Sequence, residues 1–501
     1  MNDITRLAST VLQPGFDGIS LPDWLRRALG AGLGGVLLWD RNVATPAQVT
    51  GLTAAVHAEN PHALVAVDEE GGDVTRLEST TGSSWPSHAA LGVVDDVGLT
   101  RAVAGGIGRD LSAGGIDLNY APVADVNSNP DNPVIGVRSF GADPHLVAAH
   151  TAAFVAGMQA WGVAACAKHF PGHGDTSVDS HRGLPVVDAD TDALAAGALV
   201  PFRAAIAAGV RAVMSAHIVL PALDSVPATL SRRVLTGLLR EELGFDGLVV
   251  TDAVEMAAIK KTYGLAEGAV RALAAGADVV CIGGWRDAQT TLTRLTEAIE
   301  AAVRNGRLTE DRLAEAARRV RQVAEWTARG RTSGPSAGRD DRAAGLAAAR
   351  RALRVTGVPT PLPAAPHVIE LSPRMNAQVG RHTGWRMTAA LTGLLPGTVG
   401  RRWDGPPSNL AATVAEAAGR PLVIAVRDAH RHGWIAAAVH DLLRTRPDAM
   451  VVEMGLPHSD VPDCRTHIAT YGAAAVSSLA AAEVLAGRRG DTVQPVDTGS
   501  I

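Results

Sequence analysis

From about residue 30 to 330, short apolar runs that end in polar residues alternate with Ala- and Leu-rich amphipathic stretches. Compact apolar runs bounded by turn signals read as strands, and apolar positions recurring every three to four residues read as helices, so this rhythm predicts β/α units around a parallel sheet. The strand candidates are GGVLLWD (34–40), ALVAVDEE (63–70), DLNYAPVADV (117–126), GVAACAKH (162–169), AVMSAHIV (212–219), GLVVTDA (247–253) and DVVCIGG (278–284), with an irregular eighth strand expected. A segment of this size suits a (β/α)8 TIM-like barrel, and a doubly wound open sheet is the competing architecture. Asp40, Asp68, Asp125, Lys168, His217 and Asp252 fall at the ends of these candidates. That favours the barrel, whose enzymes gather their chemistry at the C-terminal ends of the strands.

The stretch RGRTSGPSAGRDD (329–341) is rich in Gly, Ser, Arg and Asp and follows a long helical pattern over 308–328, so it reads as a linker. The expected organisation is a catalytic barrel over 1–330, a linker and connecting helix over 331–353, and a C-terminal α/β domain over 354–501. The last part holds PLVIAVRD (421–428), WIAAAVHDLLRT (434–445), AMVVEMG (449–455) and SSLAAAEVLAG (477–487), which suggest a smaller α/β sandwich.

Composition narrows the function classes. The 501 residues carry a net charge of −5 with no long basic stretch, so there is no electrostatic footprint for nucleic acid. Cys166, Cys281 and Cys464 are widely separated and sit in apolar contexts, which fits a reducing compartment and argues against disulfides or a cysteine metal cluster. The N-terminus lacks the basic start and apolar run of a secretory signal, and no 18-residue apolar stretch is present. The expectation is a cytoplasmic protein without a membrane span.

The densest chemistry lies in KHFPGHGDTSVDSH (168–181). Five potential zinc ligands occur here, but Pro171, Gly172 and Gly174 prevent the helical i, i+4 presentation of an HExxH site, and no metal is expected. Asp179, Ser180 and His181 are too close in sequence to line up as a Ser-His-Asp triad. Asp179 and His181, two apart in an extended loop, can instead face the same side, with the carboxylate orienting the imidazole as an acid/base dyad. A loop Asp-His pair that only satisfies its own hydrogen bonds is the plainer alternative.

Other segments add candidates. In VDEEGGDVTRLE, Asp68 is the best ligand-binding carboxylate, with Glu69 or Glu70 structural; a solvated acidic turn is the alternative. Arg138 in NPVIGVRSFG can fork onto ligand oxygens, although a surface arginine is the default. Asp252 closes a β-branched apolar run, where a shielded carboxylate needs partners or a function, making it the candidate nucleophile. GAGLGG (30–35) satisfies G-x-G-x-x-G but follows a helix and precedes a strand, the reverse of a dinucleotide site. No cofactor is expected.

Taken in order, VDEEGG, NPVIGVRSFG, KHFPGHGDTSVDSH, PATLS (227–231) and GLVVTDAVEM resemble the family 3 glycoside hydrolases, in particular their β-N-acetylglucosaminidase branch, which includes enzymes of bacterial peptidoglycan recycling. The resemblance covers about residues 5–330, and the C-terminal part, with RDAHRH (427–432) and VVEMGLP (451–457), resembles the second domain of longer members. It implies a retaining mechanism with Asp252 as nucleophile and His181 paired with Asp179 as acid/base. It also implies sugar binding by Asp68, Arg76, Arg138, Lys168 and His169. Glu69 stands where many relatives carry glutamine.

The implied activity is exo-cleavage of terminal β-linked N-acetylglucosamine from small oligosaccharides or muropeptides through a glycosyl-aspartate. With only 4% aromatic residues, extended stacking platforms are not expected, which favours a pocket for one terminal sugar. A histidine acid/base does not repel an attacking phosphate as a carboxylate would, so a β-N-acetylglucosaminide phosphorylase is the enzyme alternative. A catalytically silent sugar-binding protein is the alternative from another class.

Overall fold

The structure is a computed structural model that describes residues 3–284, 287–333, 342–357, 360–375, 378–379, 386–458 and 464–488. The chain divides into two compact units. The first comprises Met1–Glu70, Thr100–Ile135 and Gly141–Arg339; the second comprises Gly71–Leu99, Gly136–Phe140 and Asp340–Ile501.

The strands of the first unit are β1 (Leu12–Pro14), β2 (Gly35–Leu38), β3 (Leu64–Val67), β4 (Leu118–Asn119), β5 (Ala164–Phe170), β6 (Ala212–Ser215), β7 (Leu248–Thr251) and β8 (Val280–Ile282). β2 to β7 form one parallel six-stranded sheet in chain order, and β1 pairs with β8 in a parallel two-stranded sheet. Single parallel bridges, Gly15 to Leu37 and Val250 to Val279, join the two sheets at both edges.

All seven expected strands therefore occur, and β1 is the eighth. Its LQP sequence is too short to show a period. The expected strand over 117–126 shrinks to β4, but the chain beyond it stays beside β5: Ala124 N–H donates to the Lys168 carbonyl at 2.6 Å. That contact delivers Asp125 to the end of β5.

Inward-facing Leu37, Leu64, Ala66, Leu118, Tyr120, Cys166, Met214, Leu248, Val250 and Cys281 form one buried cluster, joined by Val320, Val323 and Ala324 of the helix Glu310–Ser333. Cys166 and Cys281 are free, and burial pushes both thiols well above their ordinary pKa, which suits core residues better than nucleophiles. The helix runs through Ser333, so residues 329–333 of the expected linker are helical; residues 334–341 lie outside the described residues.

The second unit has β9 (Arg354–Gly357), β10 (His367–Leu371), β11 (Val399–Trp403), β12 (Leu422–Val426), β13 (Met450–Glu453) and β14 (Thr466–Ala469) in the order β11-β10-β12-β13-β14-β9. Only β9 runs antiparallel. Val423 and Ala425 pack into one apolar layer with Met387, Leu391 and Ala481, while Ile424 and Val426 pack into the opposite layer with Ile435, Val439 and Leu442. This alternation buries both sheet faces, giving the expected α/β sandwich. Among the described residues, no helix is long and apolar enough to cross a membrane.

Candidate active site

The chemistry of the first unit collects at the C-terminal ends of its strands. Lys168, 1% exposed at the end of β5, reaches back to the β3 end and meets Asp68 Oδ1 and Glu70 Oε1, each at 2.7 Å. A buried ammonium is tolerable only with such partners, so Glu70 is the structural carboxylate that the acidic run was expected to contain. Glu69 is held differently: its N–H donates to Asn119 Oδ1 at 2.9 Å, and Asn119 Nδ2 donates to its carbonyl at 2.8 Å.

Asp125, fully buried, organises the start of the loop after β5. One oxygen accepts the backbone N–H groups of His169 and His173 at 3.1 and 2.7 Å, and the other lies 2.7 Å from His169 Nδ1. Burial alone would raise this carboxyl's pKa; the His169 and His173 contacts outweigh it and hold the group below the ordinary aspartate value. The pairing fixes the His169 ring through Nδ1, leaving Nε2 as its outward nitrogen. Asp125 was visible in the sequence as a strand-end polar residue, but nothing local indicated its partner 44 residues away.

His173 pins the middle of the loop. Its Nδ1 lies 2.7 Å from Thr176 Oγ1 and its Nε2 3.2 Å from Ser180 Oγ. Thr176 Oγ1 donates to the His173 carbonyl, so Nδ1 donates to the threonine and Nε2 accepts from the serine. Burial and the neighbouring His169 lower its pKa to about 4, in keeping with a neutral ring. Asn132 closes the loop from outside, its Nδ2 donating to the His173 and Gly174 carbonyls at 2.9 and 3.1 Å.

Beyond this anchored segment the chain presents Asp179 and His181. Asp179 Oδ1 accepts the His181 N–H at 2.9 Å and sits 2.8 Å from His181 Nδ1. The carboxylate is 8% exposed and the imidazole 27%. Burial acts to raise the Asp179 pKa, but its hydrogen bonds from His181 and the charges of His181 and Arg182 bring it below the usual value. An ionised carboxylate at Nδ1 sets the tautomer and leaves Nε2 for proton exchange.

Asp252 follows β7 directly. Its N–H donates to the Ser215 carbonyl at 3.1 Å and its Oδ1 accepts the Ala253 N–H at 2.7 Å. Burial opposes its charge, but the imidazoles of His217, His169 and His181 and the Ala253 amide more than offset that, so the carboxyl ionises below its ordinary range. His217, fully buried, places Nε2 3.1 Å from the Ala253 carbonyl and Nδ1 2.8 Å from Thr229 Oγ1. A carbonyl only accepts, so Nε2 carries the proton, and His217 ties the turn after Asp252 to the PATLS segment. Burial lowers its pKa.

Glu255, three residues beyond Asp252, accepts the N–H groups of Gly283 and Gly284 at 2.7 and 3.2 Å, and burial raises its pKa. Arg41 donates to the carbonyls of the same two glycines at 3.0 and 3.2 Å. Asp40, the other strand-end carboxylate, instead accepts the N–H of Arg41 within its own turn.

Arg76 and Arg138 fall in the second unit. Arg76 is 1% exposed and donates to the Gln378 carbonyl at 2.8 Å. Arg138 is 5% exposed, and its carbonyl lies 2.6 Å from His88 Nδ1, with the His88 ring stacked on Phe140. Asp428 and Glu453 also belong there: Glu453 Oε1 accepts the Asp428 N–H at 2.8 Å, and Asp428 Oδ1 accepts the Leu456 N–H at 3.1 Å. His430 stacks on His458. Among the described residues, no group of three or more His, Cys, Asp or Glu side chains is arranged to hold a metal ion.

Residues 21–323 match the sequence profile of the glycosyl hydrolase family 3 N-terminal domain. The chain belongs to glycosyl hydrolase family 3. The chain is 40% identical over 270 residues to beta-hexosaminidase A of Pseudoalteromonas piscicida, a match covering 49% of the chain and 45% of that relative. It thus aligns with less than half the length of that protein. It is 42% identical over 266 residues to the beta-hexosaminidase of Stenotrophomonas maltophilia strain R551-3, covering 52% of the chain and 78% of the relative. Among solved structures, a family 3 beta-N-acetylglucosaminidase from Paenibacillus sp. str. FPU-7 superposes with a TM-score of 0.88 at 33% identity, covering 98% of each chain.

Proposed function

We propose that this family 3 glycoside hydrolase is a retaining exo-β-N-acetylglucosaminidase that works through a glycosyl-aspartate. The observation that carries the reading is the pairing of His181 Nδ1 with Asp179 at 2.8 Å, in the same unit as a carboxylate, Asp252, that burial alone would not keep ionised. In the first step Asp252 Oδ attacks the anomeric carbon while His181 Nε2–H protonates the departing glycosidic oxygen. In the second, neutral His181 takes a proton from water as the water oxygen displaces Asp252, restoring both groups.

Asp68, Lys168 and His169 are the sugar-binding candidates in this unit, presenting a charged hydrogen-bonding cluster; Arg76 and Arg138 are candidates from the sequence resemblance alone. A closed eight-stranded barrel belongs to the same reading, and the bridges at both edges of the six-stranded sheet support it. The names of the relatives favour an N-acetylhexosaminide as substrate. Cell-wall fragments are the substrate class that the sequence resemblance adds.

The test is incubation with a 5-fluoro N-acetylglucosaminyl fluoride, followed by intact-mass and peptide analysis. The expected result is one glycosyl adduct on the peptide carrying Asp252, and an adduct elsewhere or none during turnover would overturn the mechanism. Product analysis on an N-acetylglucosamine disaccharide with added phosphate separates hydrolysis, which releases free sugar, from phosphorolysis, which releases sugar 1-phosphate.

A further inference from the structure

The PATLS segment (227–231) runs along the chain that leaves β6: Ala228 N–H donates to the Ile218 carbonyl at 2.8 Å, and Thr229 N–H to the Ala216 carbonyl at 3.3 Å. This register brings the Thr229 side chain between Ser215, the last residue of β6, and His217, and all three residues are fully buried. Ser215 Oγ donates to Thr229 Oγ1 at 3.0 Å. Thr229 Oγ1 in turn lies 2.8 Å from both His217 Nδ1 and the Ala216 carbonyl, so its single hydrogen has two candidate acceptors.

The surroundings decide between them. His217 Nε2 donates to the Ala253 carbonyl, and burial lowers the pKa of the ring against the pull of Asp252, which leaves Nδ1 of the neutral ring a bare acceptor. The Ala216 carbonyl already accepts the Thr229 N–H, whereas Nδ1 has only the threonine hydroxyl to donate to it among the described residues. A buried acceptor without a donor is costly, so the hydroxyl goes to Nδ1. Ser215, Thr229 and His217 thus form a directional chain of donors, each polarised by the one before it.

The chain ends on the turn that carries Asp252. Asp252 N–H donates to the Ser215 carbonyl at 3.1 Å, and its Oδ1 accepts the Ala253 N–H at 2.7 Å. His217 holds the same alanine from its carbonyl side at 3.1 Å. With Ala253 pinned on both sides, the amide that Oδ1 accepts keeps one orientation, and the carboxylate keeps it too. Attack on carbon depends steeply on such alignment.

We infer that Ser215, Thr229 and His217 are positioning residues that aim the Asp252 carboxylate at the anomeric carbon, acting through the turn at Ala253. The inference rests on the reading of Asp252 as nucleophile, and it gives the PATLS motif a part in the reaction.

The test compares Thr229→Val, which keeps the side-chain shape without the hydroxyl, with Thr229→Ser, which keeps the hydroxyl, in single turnovers of a dinitrophenyl N-acetylglucosaminide. That leaving group departs without a proton from His181, so the rate reads the nucleophile. Thr229→Val should lower the rate at saturation by about ten-fold or more, with the half-saturating concentration changed by less than about two-fold. Thr229→Ser should recover most of that loss, and His217→Leu, which removes the last donor of the chain, should match or exceed it. The valine is then placed in Asp252→Ala, with azide supplied as the attacking nucleophile and an α-glycosyl azide as the product. There it should change the rate by less than about two-fold, because the carboxylate it positions is gone. An equal loss with azide, no loss with Asp252 present, or a loss as large in Thr229→Ser would overturn the positioning role. Full turnover by Asp252→Ala without azide would instead remove the nucleophile reading, and this inference with it.

Discussion

At the residue scale, each functional side chain is defined by what holds it. His181 has a carboxylate at Nδ1 and a partly exposed ring, whereas His173 has both ring nitrogens occupied and is buried. Two histidines of one loop thus take different jobs. His181→Ala is expected to lower kcat/KM by about 10²- to 10⁴-fold on substrates with poor leaving groups and by less on activated aryl glycosides, which need little protonation. Steady-state rates across a leaving-group series check this; equal losses throughout would remove His181 from proton transfer. Lys168→Met leaves the Asp68 and Glu70 carboxylates buried without their cation, an expected loss of about 3–5 kcal/mol in denaturant unfolding. Adding Glu70→Gln should recover part of it, because one of the two stranded charges is removed.

At the scale of elements, the 168–181 loop behaves as two ends joined by an anchored middle. The end leaving β5 is held by Asp125, the middle by His173 between Thr176 and Ser180, and only then does the chain present Asp179 and His181. His173→Ala should cost about 1–3 kcal/mol, because the Thr176 and Ser180 hydroxyls stay buried after losing a partner. Since its contacts hold the loop that leads to the proposed acid/base dyad, kcat should fall more than KM changes, and amide exchange should rise across 174–181. A loss of stability with kcat intact would mean the middle of the loop serves folding only. The sequence showed the polar loop and its helix-breaking residues, and it showed Asp179 and His181 two apart. It did not show that Asp125 anchors the loop or that His217 ties down the turn after Asp252, since both contacts join segments distant along the chain.

At the scale of the whole molecule, buried titratable groups govern acid stability. Burial, aided by Arg331 at His57 and by His169 at His173, lowers His57, His173 and His467 each to about 4. Between about pH 6.5 and 4 the unfolded chain binds their protons and the folded chain does not, so stability falls as pH drops through that window. Glu453 acts oppositely: burial and neighbouring Asp428 raise it to about 7. Between about pH 4.5 and 7 its folded form retains a proton that the unfolded form releases, so its contribution falls as pH rises. Three imidazoles outnumber one carboxyl, and urea midpoints should drop from pH 7 to pH 5. Glu453→Gln removes the opposing group and should steepen that drop; a shallower drop in the variant would contradict the assignment.

What the sequence determined by itself was local: the alternation that makes parallel strands, the polar residues that end them, the glycines and prolines that keep 168–181 out of a helix, and the motif order of the family. Strand ends are readable because pleat and burial act over a few residues. The tertiary structure alone decided which of those ends meet. Lys168 finds Asp68 100 residues away through strand register, and the segments 71–99 and 136–140 join the second compact unit, taking Arg76 and Arg138 with them. Register and packing are set by the summed burial of many side chains, and no single stretch of sequence carries that sum.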